Sequence, residues 1–236
     1  LSCGHTIIAQ KYINQPKAHA SLLAQYIQDI LKENNLTIED CAAVAVSEGP
    51  GSYTGLRVGV SCAKGLCYGA KKPLIAVSTP AILTQLAIDQ FLQPDHHTQG
   101  ANTNNPAQAV SNPTQQPAVP TLIVPMIDAR RMEVYTATFN ADGEQLSKTE
   151  ALVLNETSFA EELRKGKVLF IGNGALKFQP LVAQNPNALF AEQHPQACGM
   201  RIYAATALKN KKFEDCAYFE PFYLKEFIAG KPKKLL

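Results

Sequence analysis

The stretch from Cys41 to Thr79 constrains the fold more than any other part of the chain. An apolar run, Ala42 to Val46, ends in Ser47-Glu48 and a Gly49-Pro50-Gly51 turn. A segment of helical length follows from about Ser52 to Tyr68. After Lys71-Lys72-Pro73, a second apolar run occupies Leu74 to Val77. Strand, glycine turn, helix and strand in that order predict a βαβ unit with two parallel neighbours in a sheet.

The turn has a local logic. Pro50 presets φ near about −65°, and Gly51 can take the positive φ that a type II turn needs next. Ser52 can cap the helix by accepting a backbone N–H. The helix start then offers free N–H groups and a positive dipole end, which can hold an anion. A tight turn with a capped helix and no ligand accounts for the same residues. A phosphate-cradling P-loop does not fit, because Gly49 and Gly55 are too far apart and Leu56-Arg57 follows where Lys-Ser/Thr is needed.

The helix carries unusually many small residues. Gly55, Gly59, Ala63 and Cys67 form one row at i,i+4 spacing, and Ser61, Gly65 and Gly69 form another. Each glycine costs a helix about 1 kcal/mol relative to alanine. Close approach of a neighbouring backbone is the natural compensation. The pattern predicts a helix packed on more than one side, in part against another chain.

Upstream, residues 5–13 predict a strand. Residues 17–33 predict an amphipathic helix, with Leu22, Leu23, Tyr26, Ile27, Ile30 and Leu31 on one face. Asn34-Asn35 ends it. His19 stands at the edge of that face, and a lone histidine there reads as packed or hydrogen-bonded rather than as a ligand. Downstream, Ser78 or Thr79 caps a helix with Pro80 in its first turn, running to about Phe91.

Residues 93–120 change character: Asn, Gln, Pro, Ala and Thr dominate and apolar periodicity disappears. That composition predicts a flexible low-complexity loop between an N-terminal part, 1–92, and a C-terminal part, 121–236. His96-His97 within it makes a poor metal site, with only Asp95 nearby. Beyond the loop, Thr121–Asp128 and Met132–Phe139 predict two strands joined at Asp128-Ala129-Arg130-Arg131. Either arginine can contact an anion there, or Asp128 pairs with one of them and holds the hairpin. Ser158–Lys165 predicts a short helix and Val168–Gly172 a strand closing on Gly172-Asn173-Gly174. Ala188–Ala191 predicts a strand, and a helix runs from Pro195 to about Lys209. His194 and Cys198 share helical spacing but have no further ligand near in sequence. The lysines at 231, 233 and 234 make a basic end, read as a solvated terminus.

Bulk properties exclude several classes. A net charge of +2 argues against a broad nucleic-acid patch. Six cysteines without a CxxC pair suggest free thiols in a reducing compartment. There is no run of about 18 apolar residues, so no membrane span is expected, and no signal peptide is visible.

Three strings then resemble one family. GPGSYTGLRVGVSCAKGLCYG (49–69), IDARRMEVYTATF (127–139) and EPFYLKEF (220–227) look like the signatures of bacterial TsaB proteins, also called YeaZ. The resemblance implies an α/β, two-lobed actin-like fold, with mixed sheets flanked by helices, shared with sugar kinases and Hsp70-type ATPases. It implies a cytoplasmic, non-catalytic scaffold subunit that supports TsaD in making N6-threonylcarbamoyladenosine in tRNA. Its partners would be TsaD, a second copy in the absence of TsaD, and indirectly TsaE and tRNA. No cofactor, metal or catalytic residue is implied. The working surface would be the helix pair 17–33 and 54–69, drawing on His19, Leu22, Leu23, Tyr26, Ile27, Ser52, Tyr53, Leu56, Arg57, Gly59, Val60 and Ala63. Periodicity leaves open which of the apolar ones face the core. Family members also begin with an apolar strand ending in a Thr/Ser-rich turn, and Leu1–Gly4 reads as the turn after that hairpin.

The alternative is an enzyme of the same superfamily, an ATP-dependent phosphotransferase or a glycoprotease-like hydrolase. No two of the five histidines stand in the His-x-x-x-His spacing that TsaD-like metal chemistry needs. Glu48, ending the first strand, is the candidate carboxylate, and it also reads as a solvent-exposed residue. Ser52 and Ser61 have no base and orienter grouped near them in sequence.

Overall fold

The computed structural model describes residues 1–13, 19–92 and 120–225, with residues 19–21 described in their backbone only. Of the expected loop over 93–120, residues 93–119, with His96 and His97, lie outside the described residues, as do the side chain of His19 and the basic end 226–236.

The chain opens with a two-residue hairpin, β1 (Ser2–Cys3) and β2 (Thr6–Ile7). The strand expected over 5–13 is therefore confined to Thr6–Ile7. Leu1 takes the Ile8 and Ala9 amides on its carbonyl, and Ile8 and Tyr12 stay exposed. Helix α1 (His19–Glu33) follows and stops at the asparagines: Asn35 adopts φ 55° and the Leu36 amide bonds the Leu31 carbonyl. This is the left-handed exit that Asn tolerates. Thr37 and Asp40 form a reciprocal capping box around the short turn Ile38–Asp40.

The expected βαβ unit is present as β3 (Val44–Gly49), α2 (Tyr53–Ala70) and β4 (Leu74–Ser78). β3 and β4 pair in parallel from Val44 opposite Leu74 to Gly49 opposite Ser78, with a shift between Ser47 and Gly49. Helix α3 (Thr79–Ala87) starts as expected: Ser78 Oγ accepts the Ala81 amide and Pro80 sits in the first turn. Every residue of α3 is buried, as a helix enclosed on all sides requires. Its continuation, Ile88–Leu92, widens into a π-helical turn.

The second half builds a six-stranded mixed sheet from β5 (Leu122–Asp128), β6 (Glu133–Thr136), β7 (Phe139–Asn140), β8 (Glu150–Val153), β9 (Val168–Ile171) and β10 (Ala188–Ala191). The order is β10-β9-β5-β6-β8, with β7 also on β5; β10, β9 and β5 run parallel, β6 and β7 pair antiparallel to β5, and β8 pairs antiparallel to β6. The strand expected over 132–139 is split into β6 and β7. Both keep one register on β5, Met126 opposite Thr136 and Ile123 opposite Phe139, and the gap falls beside Pro125. Proline has no N–H to give the ladder, which accounts for the interruption. Two helices flank this sheet, α4 (Ala160–Lys165) and α5 (Ala175–Phe178), and α6 (Arg201–Lys209) packs on β4 of the first sheet. The helix expected from Pro195 is two pieces, a tight turn at Ala197–Met200 and then α6. Gly199 lets the first piece lie against α3, since a Cβ there would stand 2.6 Å from the Ile82 carbonyl.

The cores follow from this layout. Ile82, Leu83 and Leu86 of α3 join Ile75 and Val77 of β4 to Ile123, Leu169 and Ile171 of the larger sheet. The other side of that sheet packs Val124, Met126 and Phe170 against Phe178, with Phe159 and Phe190 edge-on and stacked around Phe170. A third cluster seats α2 on the first sheet through Val46, Val60, Ala63, Cys67 and Leu74. No described helix is long and apolar enough to cross a membrane.

Candidate functional site

The Gly-Pro-Gly turn differs from the type II turn expected. The positive φ falls on Gly49, at 114°, rather than on Gly51, and the Gly49–Pro50 peptide is cis. A Cβ on Gly49 would stand 2.7 Å from the Phe222 carbonyl and 3.0 Å from Leu56 Cδ1, so the C-terminal segment passes directly over the turn. Ser52 does cap the helix, its Oγ accepting the Gly55 amide at 3.3 Å.

Helix α2 divides into faces. Leu56, Val60, Ala63 and Cys67 turn inward and are buried. For Leu56, Val60 and Ala63, which periodicity left between core and interface, the position is the core of this chain. Gly59 also faces inward, its missing Cβ 3.8 Å from Val46. The second small-residue row behaves differently. A Cβ at Gly65 or Gly69 would meet nothing within 4 Å, and Ser61 is exposed beside them. Tyr68, on the same face, is 87% exposed. One row is packed within the chain and the other is open.

Helix α1 lies beside α2. Leu22, Leu23, Tyr26, Ile27, Ile30 and Leu31 are all half-buried, and no described side chain of α1 reaches full burial. Lys11 tethers the helix through Glu33 at 2.6 Å and Asp29 at 3.6 Å.

A strap, residues 213–225, also runs along α2. The Glu214 amide bonds the Leu74 carbonyl, and the Phe222 amide bonds the Glu48 carbonyl at 2.7 Å. Lys64 Nζ donates to the Ala217 and Phe219 carbonyls, both at 3.0 Å. The Tyr223 ring lies 4.8 Å from that of Tyr53, and the Arg57 guanidinium sits 5.5 Å over Tyr53. Lys225 pairs with Glu133, so the strap reaches the larger sheet. Between strap and helix runs a groove of about 380 Å³, lined by Tyr53, Arg57, Ser61, Lys64, Glu220 and Tyr223. Glu48 at the turn is half-buried rather than exposed; burial, and then Glu214, push its carboxyl above the ordinary range, while Lys212 acts the other way.

The Asp128–Arg131 turn brings Arg130 and Arg131 together at an exposed tip, both with left-handed φ (71° and 50°). The expected Asp128–arginine ion pair is replaced. Asp128 accepts the Arg130 backbone amide at 2.6 Å, and its carboxylate pairs with Lys177 of α5 at 2.5 Å. Gly172-Asn173-Gly174 has a packing reason: a Cβ on Gly172 would stand 2.2 Å from the Met126 carbonyl. Among the described residues, no three His, Cys, Asp or Glu side chains gather as a metal site. Sequence reasoning missed Lys64 and Tyr223 as walls of the groove. The aromatic run Phe219–Tyr223 was the available signal.

The helices and the strap are built on a mixed α/β frame, sheets flanked by helices. The family model described as "TsaD: tRNA N6-adenosine threonylcarbamoyltransferase" matches residues 6–94. The tRNA threonylcarbamoyladenosine biosynthesis protein TsaB of Escherichia coli K12 is 30% identical over 227 residues, covering 92% of this chain and 84% of the relative. Its counterpart in Haemophilus influenzae is 24% identical over 91% of this chain and 83% of its own length. A Pseudomonas aeruginosa crystal structure, titled as an uncharacterized protein with similarity to peptidase YEAZ, superposes with a TM-score of 0.68 at 24% identity, over 91% of this chain and 88% of that one. The chain belongs to the TsaB family.

Proposed function

We propose that this chain is a non-catalytic subunit of tRNA threonylcarbamoyladenosine synthesis, acting in the cytoplasm by docking a TsaD-type protein on the face made by α1 and α2. Two observations carry the reading: the apolar stripe of α1, a helix in contact with α2, stays half-buried, and one row of α2 carries glycines with open space around them. Apolar helical surface of that kind favours pairing, and small residues let a second backbone come close. Leu22, Leu23, Tyr26 and Ile27 supply the apolar contact. Ser61, Gly65 and Tyr68 supply the close approach, and Ser52, Tyr53 and Arg57 form the rim. His19 remains part of the same expectation. Leu56, Gly59, Val60 and Ala63 support the helix from beneath.

The two-lobed actin-like frame, with halves 1–92 and 121–236, is part of this proposal. It is supported by the TsaD-type model over 6–94 and by the separate sheets on either side of α3. A face that fits a related subunit also fits a second copy, so the chain pairs with itself when TsaD is absent. TsaE and tRNA join through TsaD. Arg130 and Arg131 are proposed as anion contacts of the assembly.

The test is size-exclusion chromatography with light scattering, on the chain alone and mixed with TsaD from the same source. Self-association alone, a heterocomplex on mixing and no ATP turnover by this chain are expected. Leu23→Glu and Gly65→Arg, each with an unchanged circular dichroism spectrum, should abolish both pairings. A monomer indifferent to TsaD overturns the docking reading and brings forward the superfamily-enzyme alternative.

A further inference from the structure

Two free cysteines on different elements meet beneath the strap. Cys67 is on the inner face of α2, and Cys216 is in the strap. Both pack in the cluster formed by Val46, Val60, Ala63 and Leu74. The Cys216 thiol donates to the Lys64 carbonyl at 3.6 Å, one helical turn before Cys67. Cys216 is also near enough to Cys67 to help raise its pKa. Their exposures differ: Cys67 is 2% exposed, whereas Cys216 is half-buried.

We propose that Cys67 and Cys216 form an oxidative cross-linking site, in which a small-molecule disulfide such as oxidised glutathione drives one bond between helix and strap. The order of events follows from access. Cys216, as its thiolate, attacks one sulfur of oxidised glutathione and displaces one glutathione thiolate. Cys67 then loses its proton to the displaced thiolate, and its sulfur attacks Cys216 in the mixed disulfide. The second glutathione leaves. Two protein thiols lose two electrons and two protons, and one oxidised glutathione becomes two reduced ones. Burial, reinforced by Cys216, pushes the Cys67 thiol up to about 11, which makes it a poor first attacker and leaves that step to Cys216.

The bond joins the wall of the groove to α2 at the level of Lys64, where the ammonium already holds two strap carbonyls. It fixes residues 213–223 without adding a contact to the open face of α2. The cross-link is read as a peptide mass and the docking as an assembly size, so either reading can fail without the other.

The test uses the full chain, folded, incubated with oxidised glutathione, alkylated and digested with trypsin without reduction. Mass spectrometry should find peptide 65–71 linked to peptide 213–225 as the dominant cross-link among the six cysteines. In Cys216→Ser, Cys67 should stay unmodified under native conditions and become alkylated only after denaturation. Reduction with dithiothreitol should restore both thiols. Cys216 halting at its glutathione adduct, Cys67 joining another cysteine such as Cys62, or Cys67 taking up glutathione equally in Cys216→Ser would each overturn the proposal.

Discussion

Arg201 closes on Asp89 through two parallel bonds, Nη1 to Oδ2 and Nη2 to Oδ1, each 2.6 Å, across 112 positions of sequence. Gln85 Nε2 donates to the same carboxylate at 2.8 Å, and Arg201 Nε reaches the His5 carbonyl at 3.0 Å. The pair thus joins the end of α3, the start of α6 and the N-terminal hairpin. Both side chains are about nine-tenths buried, so removing one strands the other away from water. Arg201→Met is expected to lose about 3–5 kcal/mol of stability, and a double apolar replacement with Asp89→Leu should recover much of it. Urea denaturation of the two variants decides this. A single variant as stable as the wild type would show that the pair contributes nothing net.

Two glycines make opposite predictions because one is enclosed and the other open. Gly172 has φ 130° and a would-be Cβ 2.2 Å from the Met126 carbonyl, a backbone atom that cannot swing aside. Gly172→Ala is expected to cost at least ~1–3 kcal/mol from the backbone conformation alone. Gly65 lies within α2 with nothing inside 4 Å of its missing Cβ. Gly65→Ala is expected to gain about 0.5–1 kcal/mol in the isolated chain, because alanine is the better helix former. Thermal unfolding of both variants gives the signs. A destabilised Gly65→Ala monomer would mean that the face is not open in solution.

Those glycines also show which parts of the fold were legible in sequence. The βαβ unit was readable because its signals are local: the cap at Ser52, the cap at Ser78 with Pro80, and apolar runs bounded by turns. The split between β6 and β7 was not, because its cause, Pro125, sits on the neighbouring strand. Gly51 looked like the left-handed residue of its turn, yet Gly49 holds that role, where the strap crosses. The ion pair of Asp128 went to Lys177, brought in from α5 by the sheet rather than by the turn. Of the candidate site, the two helices were legible from spacing. Which α2 residues face inward required β3, and the groove required the strap.

Glu48 should make stability depend on pH in an unusual direction for an acid. Burial, and then Glu214, raise its folded pKa above the ordinary value of 4.5, with Lys212 opposing. The folded state therefore holds the proton more tightly than the unfolded chain. That favourable contribution is complete below the unfolded pKa and is lost as pH rises through the raised folded value. Glu48→Gln, which keeps the shape without the charge, should be more stable than the wild type at neutral pH. The difference should close on acidification below the unfolded value. Denaturation series for both proteins at several pH values test this, and a constant difference across the range would remove Glu48 as its source.

Lys64 is the fastening of the strap. Its ammonium holds the Ala217 and Phe219 carbonyls at 3.0 Å, and its methylene stem borders the groove beside Tyr53 and Arg57. A charged hydrogen bond contributes more than a neutral one, but solvent reaches this half-buried group and weakens both. Lys64→Met keeps the stem and removes the donors, for an expected loss of about 1 kcal/mol. The local effect should be larger than the global one. The Phe222 amide, bonded to the Glu48 carbonyl, reports on strap seating, whereas amides of β5 and β9 report on the core. Hydrogen exchange in Lys64→Met should quicken at Phe222 and leave β5 and β9 unchanged, because a strap held at its edge opens by local rather than global unfolding. Equal acceleration at Phe222 and in β9 would instead make the strap part of the cooperative core, and the groove a fixed feature of the fold.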